Sequence, residues 1–484
     1  MKRRAGIIGG GASGVLAAIH LLIEFGSDVE ILLFETRDKI AEGLAYSTPS
    51  TSLILNVPVE KMSATRDPQH FKNWCAQHHP ELSQSPDYPF VPRSYFADYL
   101  RDTLAKLELE KQNTIQHVRE NVRAISPDGL MWTIEASGGD HVVQNVIVAT
   151  GYRSQLPVPQ QYRDRRVLQP YDIVSLKNIR SNETVLIVGA GLAAIDCWRF
   201  LRSEGYSGKI VFTSRRAQFP LEHVAGAKPT RLPKLAGLSP RQITALVRGL
   251  HKMGGQSFVQ LADGIRAQIP EIWCCWSDQE KAQFLRHVKP YWEVIRHRVP
   301  RSVGDALKTE IAAGKVELVR ASTVQHRLYN HVILATGFSI EQESVEIETP
   351  MGVVQRCDLG FGWRNTGARG LWFLGPSSKS NYWEITAIPD IRSQVMEVVQ
   401  AMKATSKNHF SGLFVHHPRT AGESYQDHLA WSTRVATDLL KMSFQLFVHS
   451  IFPFVFEQTT SQDLRRLFNK ISRRRGQTAR KKAS

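Results

Sequence analysis

The sequence predicts an α/β fold built on two parallel sheets, and three observations predict it. Two glycine-rich turns each follow a short apolar strand and open a helix: Gly9-Gly10-Gly11-Ala12-Ser13-Gly14 and Gly189-Ala190-Gly191-Leu192-Ala193-Ala194. Each turn has its own later apolar strand that exits in Ala-Thr-Gly, at Gly151 and at Gly337. The strands between them are continuous apolar runs rather than alternating ones, the pattern of strands covered on both faces.

The first turn sits between Ala5-Gly6-Ile7-Ile8 and a run, Val15 to Leu22, whose apolar spacing is helical. In such a turn Gly9 permits the sharp bend, Gly11 lets the backbone approach a pyrophosphate, and Gly14 lets helix and strand pack closely. The helix start, with Ala12 and Ser13, offers free N–H groups and a positive dipole end to phosphate. The next strand, Glu30–Phe34, ends at Glu35, 21 residues after Gly14. An acid there suits a ribose 2′-hydroxyl.

Further along, Gly43 to Thr48 and Leu53 to Pro58 form a polar loop. Asn56 in this loop is either a catalytic-site residue returning toward the ring of a bound cofactor or a turn residue before Pro58. Helices are expected over 68–79 and 93–109, and sheet over 120–135 with a turn at Pro127-Asp128-Gly129.

The second turn repeats the first with one change of chemistry. After Thr184–Val188, Gly189-Ala190-Gly191 and the helix through Leu201, the strand Lys209–Thr213 ends in Ser214-Arg215-Arg216. A carboxylate would repel a 2′-phosphate, whereas two guanidiniums and a hydroxyl bind it. The second nucleotide is therefore read as NADPH, held by Gly189, Gly191, Leu192, Ala193, Ser214, Arg215, Arg216 and Gly337.

Residues 229–300 are expected to be a helical insertion, with helices over 240–253, 258–269 and 278–298. Its basic, aromatic end at Lys289–Arg298 is either a packed helix with a solvated face or a wall of the site. The vicinal Cys274-Cys275 is expected to be packing rather than redox chemistry. Gly370–Pro376 is a strand and turn. The segment 381–389 leads into a helix through Met402, whose start would face the ring of the cofactor at the first turn. Gly375, Glu384 and Ile385 are its expected cofactor contacts.

These residues together resemble an uncharacterised bacterial family of FAD/NAD(P)-binding proteins. The marks are the Gly9–Gly14 turn, Leu55-Asn56-Val57-Pro58, Ser214-Arg215-Arg216, Phe284–His287, Arg296-His297-Arg298 and Trp383–Pro389, over about residues 4–402. That family is similar to flavin-dependent N-hydroxylating and other NADPH-dependent monooxygenases. The resemblance implies FAD at the first turn, reduction by NADPH, O2 as a further reactant and a small-molecule substrate. No Cys-x4-Cys follows the first turn, which argues against a disulfide reductase. The expected organisation is an FAD domain in two parts (1–152 and 338–403), an NADPH domain between them (153–337), and a helical module over 413–484 that resembles a small uncharacterised proteobacterial module.

Composition limits the alternatives. The 484 residues carry five cysteines, an odd number without metal spacing, so neither a disulfide framework nor a metal site is expected. Lys2-Arg3-Arg4 is followed at once by the glycine turn, so the start is read as a strand and not as a signal peptide. A cytoplasmic location is expected. Net charge is +16, and residues 464–484 hold nine Lys or Arg and no acid. That tail lacks the aromatics of a base-stacking surface, so nucleic acid is not an expected partner. With the apolar helix expected over 439–456 it suits an interfacial helix on an anionic membrane face. The alternative is a docked helical hairpin.

Overall fold

A computed structural model describes residues 2–152, 154–155, 158–163, 166–339, 345–349, 352–353, 368–407, 424–456, 459 and 461–468. Two compact units divide the chain, residues 1–399 and 400–484.

The first unit holds two five-stranded parallel sheets. In the first, the order is Leu371–Phe373, Asn145–Val148, Arg3–Ile8, Val29–Phe34, Gln116–Val118. Ile7 lies opposite Leu33 on one side and Ile147 on the other. All three are fully buried, as the unbroken apolar runs require. Leu371–Phe373, a strand from after the second sheet, closes the edge of the first. The second sheet runs Val316–Arg320, Ile210–Ser214, Val185–Val188, His331–Leu334, Arg166–Leu168. Each sheet places its glycine-turn strand in the centre and sets the Ala-Thr-Gly strand beside it.

A third sheet contains the expected hairpin, Val122–Asp128 against Met131–Ala136, with Asp128 opposite Met131 and Gly129 at φ +62°. Gly139–Val143 and Glu346–Thr349 extend it. The helices Ala12–Phe25 and Leu192–Ser203 begin directly after Gly11 and Gly191. Helices at His70–His78 and Arg93–Glu110 match the periodicity.

The insertion is more broken than its periodicity predicts. Instead of 258–269 there are two helices, Phe258–Arg266 and Ile269–Cys275, the second with Pro270 in its first turn. Instead of 278–298 there are Asp278–His287 and Lys289–Arg296. Pro290 has no N–H to donate four residues back, so the helix must restart there. Cys274 and Cys275 are exposed, which corrects the expectation that they pack.

In the second unit the helix spans Tyr425–Ile451, 27 residues, and stops before Pro453. It starts earlier than expected because Ser424 caps it, accepting from the Asp427 N–H. Lys441, Gln445 and His449 recur every fourth residue on one face of this helix, and they differ in burial: Lys441 is exposed, His449 half-buried and Gln445 buried. Gln445 and Met442 are buried, and the His449 Nδ1 lies 2.8 Å from the Val455 carbonyl oxygen. The exposed side is apolar instead: Leu440, Phe444, Phe447 and Ile451 are 56–72% exposed. Among the described residues no helix is long and apolar enough to cross a membrane. Residues 413–423 and the cations from Lys470 onward lie outside the described residues.

Candidate functional site

The first glycine turn opens on a cleft of about 540 Å³ lined by Gly9, Gly11, Ala12, Ser13, Glu35, Gly43, Tyr46, Gly151, Tyr152, Phe338, Thr386 and Ile388 among others. Its three glycines are required for different reasons. A Cβ on Gly9, at φ +103°, would sit 2.6 Å from the Ala149 carbonyl oxygen. A Cβ on Gly14 would sit 1.9 Å from the Gly9 carbonyl oxygen, so helix and strand touch there. A Cβ on Gly11 would meet nothing closer than the Gly43 Cα at 3.5 Å and would point into the cleft. The protein itself therefore needs Gly9 and Gly14. The bareness of Gly11 serves whatever occupies the cleft, and a pyrophosphate fits that gap.

Glu35 is buried at the cleft edge. It accepts from the Gly10 N–H at 3.2 Å and from the Arg37 side chain at 2.7 and 3.0 Å. Burial pushes its carboxyl group up, but the hydrogen bonds from Arg37 and Gly10 outweigh this and hold it below the usual carboxylate range. It is thus an ionised acceptor. Arg37, two residues past the acid and on the cleft wall, went unread in the sequence. Gly375, at φ +58°, packs on the first turn: a Cβ there would lie 2.8 Å from Ser13 Oγ. At the far wall Tyr171 stacks on Phe338 at 5.7 Å, and Tyr152 lies 6.1 Å from the same ring.

The second turn repeats this geometry. Gly189, at φ +126°, leaves 2.2 Å between a notional Cβ and the Ala335 carbonyl oxygen, while a Cβ on Gly191 meets nothing within 4 Å. Gly337 takes φ +109° at its strand exit. Ser214 ends the neighbouring strand, and its hydroxyl accepts from the Ala217 N–H at 3.0 Å. This folds Arg215 and Arg216 into a tight turn. Among the described residues neither arginine has a carboxylate within 4 Å.

A smaller cavity of about 190 Å³ joins the two systems. It shares Ala45, Tyr46, Thr386 and Ile388 with the large cleft and takes Leu192 from the second turn. Asn56 lines it, beside Arg93, Arg296, His297 and Arg298. The Asn56 carbonyl oxygen lies 3.0 Å from His223 Nε2. Burial lowers the His223 pKa to about 4, so the ring is neutral and donates to that carbonyl. Arg93 donates to Asp196 at 2.6 Å and to the Ile54 carbonyl at 2.9 Å, tying the Asn56 loop to the helix after the second turn.

The helical insertion forms one wall of this cavity. It is anchored on the segment 383–390. Trp383 is buried among Trp273, Trp276, Phe284 and Trp292. Trp292 Nε1 donates to Glu384 at 2.7 Å, and Arg266 pairs with Asp390 at 2.8 Å. Arg296 Nε lies 2.9 Å from Glu384 Oε1, an ionic contact whose N–H alignment is poor for a hydrogen bond. Arg298 forks onto Asp263 at 2.8 and 3.0 Å. The sequence reading put Glu384 and Ile385 at the cofactor. In the structure Thr386 and Ile388 line the cleft, while Glu384 turns back to hold Arg296 and Trp292, and Ile385 is buried. The odd spacing of an irregular segment hid this. The acids complementary to Arg266 and Arg296 were its only sequence signal.

Geometry and known proteins agree on the class. Residues 6–153 match the model of an FAD-NAD(P)-binding family, and that part of the chain is an FAD/NAD(P)-binding domain. Residues 411–475 match a family of unknown function. No curated protein matches the chain. Among solved structures, the chain is similar to the ornithine N-hydroxylase of Kutzneria sp. 744 with reduced FAD, NADP+ and L-ornithine. Identity is 15% and the TM-score 0.54, over 84% of this chain and 100% of that one. It is similar to an open form of cyclohexanone monooxygenase at 15% identity and TM-score 0.51, covering 84% and 89%. It is similar to a steroid monooxygenase bound to NADP at 17% identity and TM-score 0.50, covering 84% and 86%. At these identities the likeness is one of fold.

Proposed function

We propose that the protein is an FAD-dependent, NADPH-using oxidoreductase, and that it is a monooxygenase of a small molecule. One observation carries the reading: the smaller cavity draws residues from both glycine-turn systems, so two nucleotides seated on them would bring their reactive ends to one chamber. Residues 1–152 and 338–403 form the FAD domain in this reading, and 153–337 the NADPH domain. Gly9, Gly11, Ala12, Ser13 and Gly14 hold the FAD pyrophosphate, Glu35 its ribose, and Gly151 and Gly375 close on it. Gly189, Gly191, Leu192, Ala193 and Gly337 cradle NADPH, and Ser214, Arg215 and Arg216 take its 2′-phosphate. When bound, FAD supplies two-electron transfer from NADPH and activation of O2. Asn56 lines the chamber as the proposed catalytic residue beside the flavin, and Glu384 holds Arg296 in the chamber wall. The likeness in fold to an ornithine N-hydroxylase makes N-hydroxylation of an amine the first reaction to try.

The balanced reaction consumes NADPH, a proton and O2, places one oxygen atom on the substrate and releases the other as water. The test is the fate of oxygen. Labelled O2 appearing in product, in step with NADPH consumed, supports the monooxygenase. Steady NADPH oxidation yielding only peroxide, or transfer of electrons to another acceptor with no use of O2, makes it an oxidase or reductase. A flavin-loaded protein that never oxidises NADPH is a redox sensor or assembly protein.

For the C-terminal module we propose peripheral binding to an anionic lipid surface on the cytoplasmic side. The support is the exposed stripe of Leu440, Phe444, Phe447 and Ile451 together with the nine cations and no acid of 464–484. Each such cation contributes on the order of 1 kcal/mol near an anionic surface. A second copy of the chain would instead bring two basic tails together. Full-length protein is expected to float with phosphatidylserine vesicles and to be released by salt. A chain ending near Gly412 is expected to keep flavin and not to float. Equal flotation of the two refutes this reading. Concentration-dependent dimerisation without vesicle binding would point to the second copy.

A further inference from the structure

We infer that Tyr291, on the helical insertion, is a positioning residue that aims Arg216 at the 2′-phosphate of the nicotinamide cofactor. The inference rests on the NADPH reading above. The Arg216 guanidinium carbon stands 4.2 Å above the centroid of the Tyr291 ring. Tyr291 is 49% exposed, with the Arg216 guanidinium over its ring face. Neither Arg215 nor Arg216 has an acidic partner among the described residues. Elsewhere near the chamber the arginines are neutralised: Arg93 by Asp196, Arg296 by Glu384, Arg298 by Asp263. Two adjacent cations without an acidic partner among the described residues, one of them over a ring face, form a site prepared for an anionic ligand. Its chemistry is that of a phosphate monoester on an adenosine ribose, because the pair stands at the strand end beside the second glycine turn.

The contact is not an accident of two mobile side chains. The chain after Arg216 is laced to the end of the insertion, with Leu221 N–H donating to the Val294 carbonyl and His223 N–H to the Val299 carbonyl, both at 2.9 Å. The helix Lys289–Arg296 therefore carries Tyr291 beside Arg216, Trp292 on Glu384, and Arg296 in the chamber wall. The insertion then contributes to cofactor choice, which a dinucleotide fold alone would leave to Ser214, Arg215 and Arg216.

The test uses the flavin-loaded full chain and two nucleotide fragments, 2′,5′-ADP and 5′-AMP, titrated by calorimetry. Tyr291→Ala is expected to weaken 2′,5′-ADP roughly threefold or more, the scale of a lost cation–π contact, and to leave 5′-AMP unchanged. Tyr291→Phe keeps the ring face and is expected to stay within about twofold of the parent. Arg216→Ala is the control and is expected to lose the preference for the 2′-phosphate. The inference is overturned if Arg216→Ala loses that preference while Tyr291→Ala keeps it, or if Tyr291→Ala weakens both fragments equally. If Arg216→Ala also keeps the preference, the assignment of the second nucleotide site fails as well.

Discussion

The two glycine turns share one backbone and differ in what stands at the end of the next strand. In both, the first glycine lies against a carbonyl of the Ala-Thr-Gly strand, Ala149 for Gly9 and Ala335 for Gly189, with positive φ. In both, the middle glycine has open space where a Cβ would be. The first turn meets a buried, ionised Glu35 satisfied by Gly10 and Arg37. The second meets two arginines that no acid satisfies among the described residues. The shared part is backbone geometry, and the difference lies in the charge beside it. The comparison also separates glycines that folding needs from glycines that a ligand needs.

The sharpest way to break the comparison is at the third small residue. Gly14→Ala drives a methyl group to 1.9 Å from the Gly9 carbonyl, against backbone that cannot yield. We expect a loss of about 3 kcal/mol or more, seen as a lower thermal midpoint or as insoluble protein. The second turn already carries Ala194 at that place, fully buried. Ala194→Gly should cost only about 1 kcal/mol, the ordinary penalty of glycine in a helix. Equal effects at the two positions would mean that the close approach to the Gly9 carbonyl does not hold the first turn to glycine.

The middle glycines come next. Gly11→Val should leave the fold intact and lower flavin content, by roughly 100-fold in affinity if the side chain takes the pyrophosphate space. Gly191→Val should keep flavin and lose NADPH by a similar factor. Flavin-to-protein absorbance ratios and NADPH titration check both. A Gly11→Val protein with full flavin would remove the assignment of the large cleft.

Removing charge sharpens the comparison further. Arg215→Ala with Arg216→Ala should raise KM for NADPH through the loss of about 1.5–3 kcal/mol per charged contact, and leave NADH unaffected. A matching rise for NADH would mean that the arginines serve general solubility or structure.

The smallest expected effect is a pH dependence near the chamber. His223 is held at about 4 by burial, against an ordinary value of 6.5, while the Asn56 carbonyl opposes the shift. Between these values the unfolded chain takes up a proton that the folded protein refuses. Stability is therefore fully present above pH 6.5 and falls as the pH drops toward 4. Urea midpoints at pH 7.5 and pH 5 should differ less in His223→Gln than in the parent. An unchanged difference would show that other groups set the acid limit.

Local rules carried the sequence reading a long way. Turn glycines, continuous apolar strands and the acid-or-arginine choice at a strand end act over a few residues, so they are visible in order along the chain. The two parallel sheets, the hairpin at Gly129 and the helix starts after Gly11 and Gly191 all followed from them. What failed was local evidence for non-local pairing. Nothing near Glu384 in sequence says that its partners are Trp292 and Arg296, 92 and 88 positions away. Nothing near Arg216 names Tyr291. In the helix Tyr425–Ile451 nothing in the local sequence says that Gln445 is buried while Leu440, Phe444 and Phe447 are exposed.

The sequence by itself determined two glycine turns of one type and the opposite charge beside each, because a φ above zero, an open Cβ position and a charged side chain are properties of single residues. Only the tertiary structure decided that the helical insertion walls the chamber and that the 383–390 segment anchors it. Those facts depend on which distant surfaces meet when the aromatic core of Trp273, Trp276, Trp292 and Trp383 closes, and burial of that kind is set by the whole chain at once.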